Sequence, residues 1–178
     1  MVYLFLANGF EECEALVPLD ILRRANIEVK TVGIGSNTVT GSHGITVNCD
    51  TVNKALSYDN LKGVILPGGL PGATNLEADN TVQAAIDYCD KNGLLISAIC
   101  AAPQILGHKG LLDGKNAVCF PGFEKELKGA NIVNQKVVHD GNIITAWGAG
   151  AAFEFGFEIL AYLTNTETAQ NLKNAMKY

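Results

Sequence analysis

The side chains best able to do chemistry in this chain stand at turns that follow apolar runs. Leu94-Leu95-Ile96-Ser97-Ala98-Ile99 is a largely apolar run, Cys100 ends it, and Ala101-Ala102-Pro103 opens a helix. A cysteine at such a junction has its sulfur lifted to the carboxyl edge of a sheet, where the free N–H groups of a helix N-terminus favour thiolate over thiol. The nucleophile elbow of esterases uses the same geometry, although its Gly-x-Ser-x-Gly pattern is absent. A lone cysteine in an apolar run also reads as a small buried hydrophobe, and local context leaves both readings open.

Two further turns supply candidate partners. Glu11, Glu12 and Glu14 follow the first apolar run, and acidic residues suit the first turn of a helix; for Glu11 and Glu12 that solvated role is the reading adopted. Glu14 differs because Pro18 lacks the N–H that would bond its carbonyl, so the helix is expected to start late or bend there. The Glu14 side chain can then turn over the sheet edge toward Cys100, where a desolvated carboxyl stays protonated and donates a hydrogen bond. Pro67-Gly68-Gly69 ends another apolar run as a tight turn, since glycine adopts positive φ freely. The N–H groups of Gly68, Gly69 and Ala101 together form a candidate oxyanion hole.

These turns need a sheet to bring them together. The pattern reads as a strand over 2–7, a helix over 11–25, a strand over 27–33, a strand over 64–66, a helix over 80–91 and a strand over 94–99. That is a series of βαβ units. The Ser/Thr/Gly/Asn-rich stretch 36–52 reads as a small hairpin off the sheet. Later strands fall near Ile132-Val133, 136–138 and 143–145, with helices over 150–163 and 166–176. The fold class is α/β, a single domain over 1–178 with a mostly parallel sheet sandwiched by helices and ligands at its carboxyl edge.

Composition narrows the function. With a net charge of -5 and no Lys/Arg block, the chain lacks the footprint of a nucleic-acid binder. No apolar run is long enough to span a bilayer, and the first strand lacks the flanks of a signal peptide. Five cysteines (Cys13, Cys49, Cys89, Cys100, Cys119), odd in number and without Cys-x-x-Cys spacing, read as reduced thiols in the cytoplasm. The three histidines, His43, His108 and His139, offer no metal-ligand spacing, so no metal is expected.

Several ordered segments resemble the ThiJ/PfpI superfamily, in its DJ-1 branch, nearly end to end. They are Ala7-Asn8-Gly9-Phe10-Glu11-Glu12-Cys13-Glu14 with Val17-Pro18-Leu19-Asp20 and Arg23-Arg24-Ala25, Val64-Ile65-Leu66-Pro67-Gly68-Gly69 with Gly72-Ala73 and Asn75-Leu76, Ala98-Ile99-Cys100-Ala101-Ala102-Pro103, and Phe153-Glu154-Phe155. The resemblance implies a flavodoxin-like doubly wound fold and a homodimer with the first helix at its interface. It makes Cys100 the nucleophile, Glu14 the acid bonded to its sulfur, and Gly69 and Ala101 the backbone donors. It further implies cofactor-free action on small reactive carbonyls, as a glutathione-independent glyoxalase, a protein deglycase, or both.

The chain departs from the pattern at a few positions. Phe120-Pro121 stands where relatives place a pocket histidine before proline, and His43 and Trp147 match two pocket arginines. Ala101 stands where peptidase members carry the histidine of a Cys-His pair, which disfavours peptidase activity. The leading expectation is addition of Cys100 to a 2-oxoaldehyde, with Glu14 shuttling the proton and His43, Phe120 and Trp147 as possible pocket residues. The alternative is a peroxide-sensing or chaperone-like stress protein in which Cys100 is oxidised to the sulfinate.

Overall fold

A computed structural model describes residues 1–54 and 56–178. Strand β1 (Val2–Leu6) is buried on both faces: Tyr3 and Phe5 enter one core and Val2, Leu4 and Leu6 the other. That double burial is why it reads as a continuous apolar run. It is followed by α1 (Glu12–Arg24) and β2 (Val29–Gly33), then by the hairpin β3 (Thr38–Thr40) and β4 (Thr46–Asn48), and by β5 (Thr51–Val52). Next come β6 (Gly63–Leu66), α2 (Gly72–Ala78), α3 (Asn80–Lys91), β7 (Leu95–Ile99), α4 (Pro103–His108) and β8 (Asn116–Ala117). The chain ends with β9 (Asn131–Ile132), β10 (Val137–Asp140), β11 (Ile143–Ala146), α5 (Ala152–Leu163) and α6 (Thr166–Met176).

Seven strands form one sheet in the order β10-β11-β7-β6-β1-β2-β5, parallel except for the antiparallel β10–β11 pair. The expected doubly wound, mostly parallel sheet is therefore present. One face is covered by α2, α3 and α4 through Leu76, Val82, Ile86 and Ile105; the other by α1, α5 and α6 through Ile21, Phe155 and Ala169. Winding runs outward from β1 to β2 on one side and to β6 and β7 on the other, so the turns after β1 and β6 diverge and leave a crevice at their carboxyl ends. Among the described residues no helix is long and apolar enough to cross a membrane.

Some details differ from the sequence reading. Helix α1 does not start late: it begins at Glu12, with Glu11 accepting a cap bond from the Glu14 N–H at 2.9 Å, and runs through Pro18. Helix α2 carries no helix signal in the sequence, because Gly-Ala-Thr-Asn-Leu-Glu-Ala has loop-like composition and is held by the burial of Ala73 and Leu76. The expected strand near Ile132 pairs with β8 in a separate two-stranded sheet rather than joining the main one.

Helices α1 and α5 cross in close contact at Gly156, where a Cβ would stand 2.7 Å from Ile21 Cδ1 and 3.0 Å from the Pro18 backbone. Because α1 carries Glu14, this crossing also fixes the depth of the carboxyl. Gly156→Val is expected to destabilise the fold by about 1–3 kcal/mol through overpacking, read as a lower urea midpoint.

Candidate active site

Cys100 occupies the turn between β7 and α4 with φ +65°, a left-handed conformation that a side chain adopts only under constraint. Its backbone is held on both sides: Cys100 N–H donates to the Ala146 carbonyl at 2.9 Å, and the Cys100 carbonyl accepts from Phe120 N–H at 2.9 Å. The turn is thus tied to the end of β11 and to the loop after β8. The sulfur does not sit on a helix N-terminus, because α4 starts only at Pro103 and the Ala102 N–H is already bonded to the Ile99 carbonyl.

Glu14 reaches the same point from α1. Its side chain is fully buried, and Oε2 accepts the Gly68 N–H at 2.8 Å. A Cβ on Gly68 would lie 2.7 Å from both Glu14 Oε2 and Cys100 Cβ, so the absent side chain is what lets carboxyl and cysteine share the space. Gly69, at φ +82°, turns the chain against the Glu11 and Gly9 backbone, where no Cβ fits. Its N–H and that of Ala101 act on the Cys100 sulfur. Of the three amides expected in the oxyanion hole, Gly68 is instead committed to Glu14.

The ionisation of the pair follows from burial. Loss of water pushes Glu14 up to about 7, against the hydrogen bonds from Cys100 and from the Gly68 and Ala149 N–H groups. Glu14 Oε1 is the only buried side-chain polar atom among the described residues with no partner of hydrogen-bonding geometry, which suits an oxygen that carries a proton. Burial, then the Glu14 charge and its hydrogen bond, push the Cys100 thiol up to about 12, while the Gly69 and Ala101 N–H groups pull it down. A free thiolate favoured by a helix terminus, as the sequence suggested, is therefore not the resting arrangement. Two of the opposing causes act only while Glu14 is ionised, so the two groups titrate as a coupled pair in which a neutral Glu14 no longer opposes loss of the thiol proton.

The surrounding residues divide into wall and clamp. A cleft of ≈ 400 Å³ is lined by Phe120, Pro121, Trp147, Gly148, Ala149 and Gly150. A Cβ on Gly148 would stand 3.1 Å from the Phe120 ring and 4.0 Å from Cys100 Sγ, so Phe120 borders the site, and Trp147 lines the same cleft as Phe120. His43 sits in the β3–β4 turn, largely exposed, with its Nδ1 2.8 Å from Glu12 Oε2. Glu12 is not on a solvated face: it is 4 % exposed and also accepts the His43 N–H at 2.8 Å and the Ile45 N–H at 3.4 Å. Although burial pushes it up, the His43 bonds hold Glu12 below the usual carboxylate range, and Glu12 in turn raises His43. Glu11, Glu12 and His43 bring possible ligand atoms within 4.8 Å of one another, but with Glu12 so engaged the group works as a clamp on the hairpin turn. Sequence reasoning missed Ala149 and the Ala146 carbonyl; the signal was Gly148-Ala149-Gly150, a glycine-rich turn ending the apolar β11 at the same sheet edge.

The model of the DJ-1/PfpI family matches residues 1–162. Protein dj-1beta of Drosophila melanogaster is 34 % identical over 174 residues, covering 96 % of this chain and 93 % of its own length. A deglycase of Pyrococcus abyssi is 29 % identical, covering 91 % of this chain and 98 % of its own. Among solved structures, oxidised DJ-1 of Toxoplasma gondii superposes with a TM-score of 0.95 at 31 % identity, covering 99 % of this chain and 97 % of that one.

The Glu14 shift has a signed consequence for stability. A carboxyl raised from 4.5 when unfolded to about 7 when folded binds its proton more tightly in the native state. Its contribution is full below 4.5 and is lost as pH rises through about 7, by about 3 kcal/mol. Urea unfolding across that window is expected to show the parent losing this increment relative to Glu14→Gln, in which the slope is removed.

Proposed function

This chain belongs to the DJ-1/PfpI family, and from that premise we propose that it is a cofactor-free enzyme using Cys100 to convert small 2-oxoaldehydes to 2-hydroxy acids. The observation that carries the reading is the Cys100–Glu14 pair, buried together beside amide donors, with the carboxyl pushed up to about 7. As Sγ attacks the aldehyde carbon C1, the S–C1 bond forms, the S–H bond breaks with its proton passing to the Glu14 carboxylate, and the C1 oxygen takes the π electrons facing the Gly69 and Ala101 N–H groups. Glu14 then protonates that oxygen to give a hemithioacetal.

Glu14, now a carboxylate, removes the hydrogen from C1 as a proton and returns it to C2, while the C1 hydroxyl proton passes to the C2 oxygen. C1 is oxidised to a thioester and the C2 ketone is reduced to an alcohol, so the redox change is internal to the substrate. Water attacks the thioester, the S–C1 bond breaks, and the hydroxy acid and the Cys100 thiol are released. With methylglyoxal the product is lactate. Phe120 leaves Glu14 as the acid and base closest to the sulfur, and slow turnover follows. Removal of glycation adducts from thiols and amines by the same nucleophile belongs to this reading.

A second reading, oxidation of Cys100 by two peroxide molecules to a sulfinate and two waters, is favoured by the unpartnered Glu14 Oε1, which as an O–H would donate to the new anion. The test is methylglyoxal consumption with lactate detection, without any thiol or amine adduct. Cys100→Ser and Glu14→Gln are each expected to lower kcat/KM by about a hundredfold or more. Activity unchanged in Cys100→Ser contradicts the enzymatic reading. An inert parent that gains two oxygens at Cys100 under mild peroxide, seen by intact mass, supports the sensor.

A further inference from the structure

The cleft beside Cys100 has a chemistry of its own. Its lining consists of two aromatic rings, Phe120 and Trp147, with Pro121, Gly148, Ala149 and Gly150, and contains no ionisable side chain. Phe120 is 47 % exposed, a large apolar ring left in water at the edge of a reactive centre. Its position is fixed: the Phe120 N–H bonds the Cys100 carbonyl, and Gly148 stands between ring and sulfur with no side chain to fill the gap. The amides that can take an oxyanion come from Gly69 and Ala101, in turns outside the cleft lining. The side of the sulfur toward Gly148, where a Cβ would stand 4.0 Å from Sγ and 3.1 Å from the Phe120 ring, is the open approach to the cleft.

We propose that this cleft is an apolar subsite that selects 2-oxoaldehydes bearing an aryl group over methylglyoxal. The inference rests on the reading of Cys100 as the carbonyl nucleophile. At ≈ 400 Å³ the space accepts a phenyl ring, and the extra apolar surface removed from water relative to a methyl group corresponds to about a ten- to hundredfold gain in kcat/KM. Phenylglyoxal, converted to mandelate by the same internal redox change, is the probe.

The experiment compares kcat/KM for phenylglyoxal and methylglyoxal in the parent and in Phe120→Ala. The expected ratio is about ten or more in the parent, falling severalfold in Phe120→Ala; a ratio at or below one, or one unmoved by the substitution, overturns the subsite. Trp147 is the sole tryptophan of the chain, so its fluorescence reports occupancy of the cleft independently of turnover. Mandelate is expected to saturate that signal at about a tenth of the concentration lactate needs, or less. Should neither aldehyde be consumed while mandelate still binds preferentially, the subsite stands and the carbonyl chemistry falls. Equal turnover of both aldehydes with no mandelate preference leaves the chemistry standing and removes the subsite.

Discussion

A carboxyl group buried against a cysteine sulfur is the constraint around which this structure is organised. Glu14 has no exposure to water, and Gly68 provides both the N–H that bonds Oε2 and the missing Cβ that makes room for Cys100. An isolated ionised carboxylate at that depth is costly, and the cost is met by keeping a proton on the pair. The features that matter for chemistry, a proton close to the sulfur and amides facing it, follow from that arrangement. The mostly parallel sheet serves it by ending β1, β6 and β7 at one edge, so that three turns meet.

The neighbouring turns keep the pair in register. The positive φ of Cys100 persists because its N–H and carbonyl are anchored to Ala146 and Phe120, contacts made by two distant parts of the chain. On the α1 side, the Glu12 carboxylate gathers the His43 and Ile45 amides and ties the β3–β4 hairpin to the first turn of the helix that carries Glu14. Adjacent acidic residues thus have opposite electrostatics: burial raises Glu14, whereas hydrogen bonds lower Glu12 despite its burial. Location in the fold, rather than residue type, decides which of them holds a proton.

Much of this was legible in the sequence, for identifiable reasons. Strands buried on both faces announce themselves as apolar runs, so β1, β6 and β7 and the turns after them were placed closely, and Cys100, Glu14 and Gly69 with them. The amide of Gly68 was misjudged because sequence shows that a glycine turns, not which acceptor its N–H finds. Glu12 was misread because its burial depends on a hairpin that closes over it from about thirty residues away, a long-range packing effect invisible to local spacing. The expected thiolate failed for a related reason: helix α4 begins later than Ala101, and the charge nearest the sulfur is a carboxyl rather than a helix terminus. Helix α2 shows the same override, its loop-like composition overruled by the burial of Ala73 and Leu76.

The central claim is that Glu14 keeps its proton well above the range of ordinary carboxyls. Infrared difference spectroscopy of the parent against Glu14→Gln, in the pH window between 4.5 and about 7, reads the carbonyl stretch of a protonated carboxyl directly. The account predicts one such band that belongs to Glu14 and disappears as pH passes about 7. The absence of any protonated-carboxyl difference in that window would show Glu14 already ionised and would contradict the account.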